Sequence, residues 1–244
     1  MTLQQIMSPI RRAIDDYNMI QAGDVIGVGV SGGKDSIALL SALVGLKRFY
    51  PNKFEVIAIR VDTGLEFDKN EELELENYIK QLGVKYHIEK TEIAKVVFEE
   101  RKESNPCSLC ANMRRGALNS TAKKLGCNKI ALGHHADDLT ETFFLSMLYE
   151  GRLSTFHPIT TLSRIDLSVI RPMIYVRERD VISFSKDKPI LNNPCPADKH
   201  TKREYVKNLF KEIRKEIPFA NDNVLNALTH PERNNLIKKP DKEN

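Results

Sequence analysis

From Val25 to Tyr175, short apolar runs alternate with segments whose apolar residues recur at helical spacing. The runs Val25–Val30, Glu55–Asp62, Lys85–Lys90, Lys129–Gly133 and Val169–Tyr175 predict strands. Between them Ile37–Lys47, Asn70–Gln81, Ala111–Leu125 and Leu139–Tyr149 predict helices. Strand and helix in alternation imply an α/β fold with an open parallel sheet covered on both faces. The first run, VIGVGV, is β-branched and continuous, which suits a strand buried on both sides. An amphipathic helix is expected in MTLQQIMSPIRRAIDDYNMI, and a polar surface loop or frayed helix end over Glu99–Pro106. After Tyr175 the alternation stops. Thr201–Ile217 sets Val206, Leu209, Phe210, Ile213 and Ile217 on one face, apart from Lys202, Arg203, Lys207, Lys211 and Arg214. That predicts a docked C-terminal helix with a basic outer surface, ended by Pro218, with ERNNLIKKPDKEN fraying after it. The expected organisation is a catalytic-type α/β domain over residues 1–190 and a helical extension over 191–244.

A chain of 244 residues suffices for one large α/β domain with an appendage. No run of about eighteen apolar residues occurs, so no membrane span is expected. The N-terminal helix carries two acids and reads as folded structure and not as a leader, which makes the cytoplasm the expected compartment. A net charge of +4 is mild, but basic residues gather in MRRGALNSTAKK, in KHTKREYVKNLFKEIRKE and at the C-terminus. Any one such cluster suits a solvated helix face; several around one site would favour a polyanion. Four cysteines in a reducing compartment do not make a disulfide framework. Cys127, in KKLGCNKIAL, is expected to pack as a small hydrophobe near a strand start. Cys107 and Cys110 form a C-x-x-C, and Cys195 sits in the proline-framed loop NNPCPAD, an odd place for a core residue.

The first strand leads into SGGKDS, residues 31–36, and then into a helix. Strand, glycine turn and helix together aim free backbone N–H groups and the positive end of a helix dipole at the turn, so a phosphate is the expected guest. The Walker pattern fails, since Gly33-Lys34 is followed by Asp35 and its first glycine position holds Val28. The dinucleotide pattern matches Gly27, Gly29 and Gly32, but the first two fall inside the strand and Asp62 comes too late for the usual acid. The remaining pattern is S-G-G-x-D-S, which resembles the signature of the PP-loop ATP pyrophosphatases. Gly32 and Gly33 let the backbone close on phosphate oxygens, Ser31 and Ser36 offer hydroxyls, and Lys34 offers charge. Asp35 would repel phosphate unless a cation intervened, so it is expected to act through Mg²⁺. In an open sheet SGGKDS, Asp62 and GHHADD all fall at the carboxyl ends of strands, where ligands bind.

The C-x-x-C has three readings: a redox pair, half a zinc site, or half an iron–sulfur site. Zinc would take Cys107, Cys110, Cys195 and His200, whereas a cluster on three cysteines would leave one iron open to an exogenous sulfur. CSLCANMRRGALNSTAKKLG followed by IALGHHADDLTETFFLSMLYEGRL resembles the tRNA 2-thiocytidine synthetase family, an iron–sulfur branch of the PP-loop enzymes, and the likeness extends to NNPCPAD. The resemblance implies a Rossmann-like PP-loop fold of the adenine nucleotide alpha hydrolase type. It implies that Ser31, Gly32, Gly33, Lys34, Asp35 and Ser36 hold ATP, with Arg60 and Val61 against adenosine. Cys107, Cys110 and Cys195 would ligate a 4Fe–4S cluster, and Asp35, Arg114 and Asp138 would stand near the reacting centre.

The implied activity is ATP- and cluster-dependent tRNA thiolation: adenylation of a pyrimidine C2 oxygen, then substitution by sulfur, at cytidine 32 in the nearest relatives. Its implied partners are tRNA and a sulfur donor, either a cysteine desulfurase or sulfide, with a homodimer left open. A PP-loop ligase with structural zinc, and a 2-thiouridine-forming paralogue, are the alternatives; a non-enzymatic nucleotide- or RNA-binding module would give Cys195 no task. His134 and His135 remain unassigned, and His87, His157 and His230 are expected to be structural.

Overall fold

The computed structural model describes residues 1–101, 106–195 and 202–236. The KESN part of the polar segment before Pro106, His200 and Thr201, and the last eight positions of the C-terminal stretch lie outside them. Helix α1 (Leu3–Asp16) is followed by β1 (Val25–Gly29), α2 (Lys34–Lys47), β2 (Glu55–Asp62), α3 (Lys69–Gln81) and β3 (Lys85–Lys90). A short helix α4 (Ile93–Lys95) runs on as a π-helical turn to Arg101, and α5 spans Pro106–Lys124. Then come β4 (Lys129–Ala131), α6 (Ala136–Leu145), β5 (Ile159–Leu162), β6 (Leu167–Ile170), α7 (Glu178–Ser185), α8 (Lys202–Glu216) and α9 (Ala220–Thr229).

The chain divides into two compact units, one of Met1–Ala136 with Phe156–Lys199 and the other of Asp137–Thr155 with His200–Asn244. The first holds a six-stranded sheet in the order β3-β2-β1-β4-β6-β5, parallel except that β5 runs against β6. This is the α/β parallel fold that the alternation predicts. The order reverses between β1 and β4, so their carboxyl ends open the crevice where such sheets bind ligands.

Helix α2 is apolar all round and Ser36–Leu46 are all buried, with α1 and α7 packed against it. A helix without a polar face belongs inside the molecule, and each fully buried Leu or Ile contributes about 2 kcal/mol. Gly27 and Gly29, the apparent dinucleotide glycines, make room for side chains. A Cβ on Gly27 would stand 2.8 Å from Ile59 Cδ1, and one on Gly29 would stand 3.0 Å from Leu118 Cδ2 of α5. Cys127 is buried in the same cluster as Ile57, Ile59, Ala122 and Ile130, as expected of a small hydrophobe, and burial pushes its thiol pKa up.

At the amino edge of the sheet, buried Asp24 accepts hydrogen bonds from Lys129 Nζ at 2.6 Å, Asn128 Nδ2 at 2.7 Å and the Gln21 N–H at 2.6 Å. Burial pushes its pKa up, but these donors together outweigh it and hold the carboxyl below its ordinary value.

Several expectations are corrected. The last predicted strand ends at Ile170, not Tyr175, since Pro172 has no N–H for a ladder and the chain turns there. Strand β5, α7 and α9 were not expected. The helix expected from Ala111 begins at Pro106, which brings Cys107 and Cys110 into its first turns. The helix expected over Leu139–Tyr149 begins at Ala136 and widens into a π-helical turn, Ser146–Glu150, before Gly151 ends it at φ +63°.

In the second unit, Phe144 of α6 meets Phe210 of α8 edge-on at 4.7 Å, and Val206, one helical turn before Phe210, is fully buried. Arg203 joins the helices by donating to Glu141 Oε2 at 3.1 Å, Thr142 Oγ1 at 3.1 Å and Asp138 Oδ1 at 3.4 Å.

Candidate active site

The turn after β1 is closed by its own serines. Ser36 Oγ accepts from the Ser31 N–H at 3.2 Å and donates to the Gly33 carbonyl at 2.9 Å, while Ser31 Oγ accepts from the Gly33 N–H at 3.3 Å. Gly32 sits at φ +85°, a left-handed conformation that L side chains adopt at a cost. A Cβ there would also stand 2.5 Å from Leu191 Cδ1. Gly33 caps α2 with no side-chain hydrogen bond, which leaves the first-turn N–H groups facing the turn.

Lys34 and Asp35 are paired, with Nζ 3.0 Å from both carboxylate oxygens, and Glu178 of α7 lies 3.4 Å from the same Nζ. Burial works against the Lys34 charge, but the two carboxylates outweigh it and hold the lysine pKa above its ordinary value. Buried His135, in the loop after β4, places Nε2 3.6 Å from Asp35 Oδ1.

Beyond this turn lies a cavity of about 380 Å³. Ser31 and Gly33 form one wall, and Arg60, Val61 and Thr63 at the exit of β2 form another. Cys107, Cys110 and Arg114 face it from α5, and Cys195 from the loop after α7. On a helix, positions separated by three and then four residues share a face, which is how α5 aims both thiols and the guanidinium one way. Burial raises the Cys110 pKa; negative charge on Cys195 and Cys107 raises it further, while Arg114 lowers it. All three thiols line the same cavity. Among the described residues, no group of three His, Cys, Asp or Glu side chains is set to hold a single metal ion.

Arg60 is buried at the wall, donating to Glu72 Oε1 at 2.6 Å with the Phe67 ring 4.8 Å from Cζ. Asp138 is not among the lining residues; it belongs to the second unit and meets Arg203 there.

Three supports were not anticipated. The Leu191 N–H donates to the Gly32 carbonyl at 3.0 Å, which ties the third-cysteine loop to the phosphate turn. Glu71 of α3 accepts from the Asn192 N–H at 2.9 Å and from its side-chain amide. Asn193 Oδ1 accepts from the Cys195 N–H at 3.2 Å, and the asparagines before Pro194 are the one signal in the sequence for such a turn.

A model of the PP-loop domain family matches residues 3–214. The tRNA-cytidine(32) 2-sulfurtransferase of Geobacter sulfurreducens is 37% identical over 230 residues, covering 92% of this chain and 89% of its own. Its counterpart in Ralstonia pickettii is 40% identical over 228 residues, covering 92% and 72%. Among solved structures, the U34-tRNA thiolase of Methanococcus maripaludis with its 4Fe–4S cluster has the same fold. Its TM-score is 0.76 at 22% identity, over 97% of this chain and 80% of that one. With a family model over most of the sequence and such relatives over most of both chains, the chain belongs to the PP-loop domain family, among the tRNA-cytidine(32) 2-sulfurtransferases.

Proposed function

We propose that the chain is an ATP-dependent tRNA thiolase that converts cytidine 32 to 2-thiocytidine. One observation carries this reading: the phosphate turn, the exit of β2 and three cysteines from distant parts of the sequence line one cavity. The names of its relatives supply the substrate.

The chemistry needs two steps. The C2 oxygen of the base attacks the α-phosphorus of ATP, and pyrophosphate departs with the bonding electron pair. A sulfur nucleophile then adds at C2, and AMP leaves with the former base oxygen. The Ser31 hydroxyl and the start of α2 would bind the phosphate oxygens. Asp35, oriented by His135, would hold a Mg²⁺ that offsets charge growing at the α-phosphate. Val61 and the fixed Arg60 would frame the adenosine. Arg114 would stabilise negative charge on the departing AMP or the incoming sulfur.

The thiols of Cys107, Cys110 and Cys195 would hold a 4Fe–4S cluster, which when bound supplies an iron site for the sulfur to be transferred. Their shared cavity suits that group.

Anaerobically purified protein is expected to carry about four irons and to lose them in Cys195→Ala. Mass spectrometry of tRNA from a deletion strain complemented with the wild type should show 2-thiocytidine, and with Cys195→Ala should not. A colourless wild type that binds one zinc after anaerobic reconstitution would overturn this reading.

A further inference from the structure

The segment that leaves β2 brings an aromatic ring to the cavity. It is fixed at both ends. Asp62 Oδ1 accepts from the Gly64 N–H at 2.9 Å, in a turn where Gly64 takes φ +82°. Asp68 caps α3, its Oδ1 accepting from the Asn70 N–H at 2.9 Å and the Glu71 N–H at 3.1 Å. Phe67 stands on the strap between them, is half-buried, and lines the cavity together with Arg60 and Val61. Arg60 Cζ lies over the Phe67 ring, 4.8 Å from its centroid, within the about 6 Å at which a cation and a π face attract. Glu72 of α3 holds the same guanidinium at 2.6 Å, and Arg60 is only 4% exposed. The guanidinium is therefore committed to a carboxylate and a ring, and little of it is left for a ligand. What this wall offers a ligand is the ring.

A ring clamped by a cation on one face and lining a cavity is prepared for a flat partner. The strand before the phosphate turn, β1, lies in register beside β2, with Gly29 opposite Ile59. A nucleotide whose phosphates sit at the start of α2 can thus lay its base across to the exit of β2. We propose that Phe67 stacks on the adenine of ATP and that Arg60, held by Glu72, is the positioning residue that fixes the ring. The assignment rests on the ATP-dependent reading above. The target pyrimidine is also a flat base, and the test separates the two sources.

The chain contains no tryptophan, so Phe67→Trp places a single indole at the site. In the full chain its emission should be quenched by a non-hydrolysable ATP analogue, and unmodified tRNA added without nucleotide should leave it unchanged. Phe67→Ala should bind the analogue about tenfold more weakly, the scale of one lost base–aromatic stack, with affinity for inorganic pyrophosphate unchanged. Arg60→Met should show the same split, and the double variant should lose no more than Phe67→Ala alone, as expected if Arg60 acts through the ring. Wild-type analogue affinity in Phe67→Ala would overturn the stack and leave the thiolase standing. An equal fall for analogue and pyrophosphate would show a disturbed wall and overturn it too. Quenching by tRNA and not by the analogue would overturn the adenine assignment and give the ring to the target base. A wild type that binds no ATP analogue would overturn the stack and the ATP-dependent reading together.

Discussion

Gly32 meets two demands that no other residue satisfies. Its φ of +85° costs a side chain about 1–2 kcal/mol, and the space a Cβ would fill holds Leu191. Gly32→Ala is therefore expected to cost about 2 kcal/mol of stability and to weaken binding of an ATP analogue tenfold or more, read by melting and by titration calorimetry. Asp24 lies at the opposite edge and bears on stability alone. Its carboxyl is held below the ordinary value, so its contribution is full above pH about 4, the unfolded pKa, and is lost as pH falls through the lower folded one. Asp24→Asn should cost about 3 kcal/mol at pH 7, because it leaves Lys129 buried without its charge partner. It should also flatten the acid side of a plot of melting temperature against pH. An unchanged acid limb would show that other carboxylates govern it.

Among the elements, legibility follows the strength of the local pattern. The serine–glycine turn reads from sequence because strand, turn and helix are consecutive and each has a strong pattern. That the two cysteines and Arg114 share one face did not read, because the helix expected from Ala111 begins earlier, at Pro106. Strand β5 did not read: ITTL has no alternation and is held by pairing with β6, a tertiary matter. The seat of Cys195 was equally hidden. What fixes that loop is Glu71, some 120 residues away in sequence, within the acidic run that suggests only a solvated helix face. A carboxylate that accepts two hydrogen bonds from Asn192 contributes about 1.5–3 kcal/mol. Glu71→Ala is expected to speed alkylation of Cys195 about tenfold in cluster-free protein, with Cys110 unaffected as the internal reference. Equal rates in mutant and wild type would place the restraint elsewhere.

At the scale of the molecule, the topology does what the alternation of elements suggests. The order reverses between β1 and β4, and the phosphate turn and the His135 loop flank that point. Sequence alone assigns chemistry to this edge because motifs are local. Asp138 falls in the other compact unit. It follows His135 by three positions, and Arg203 of the second unit pairs with it.

The bond between the Leu191 N–H and the Gly32 carbonyl makes the third-cysteine loop a tether of fixed length. From that anchor the chain has four residues in which to reach Cys195, a span of at most about 14 Å. The position of the sulfur is thus metered from the nucleotide turn itself. Along this stretch of surface the number of residues matters more than their identity: exchanging a side chain alters a contact, whereas adding or removing one residue carries the thiol past its mark.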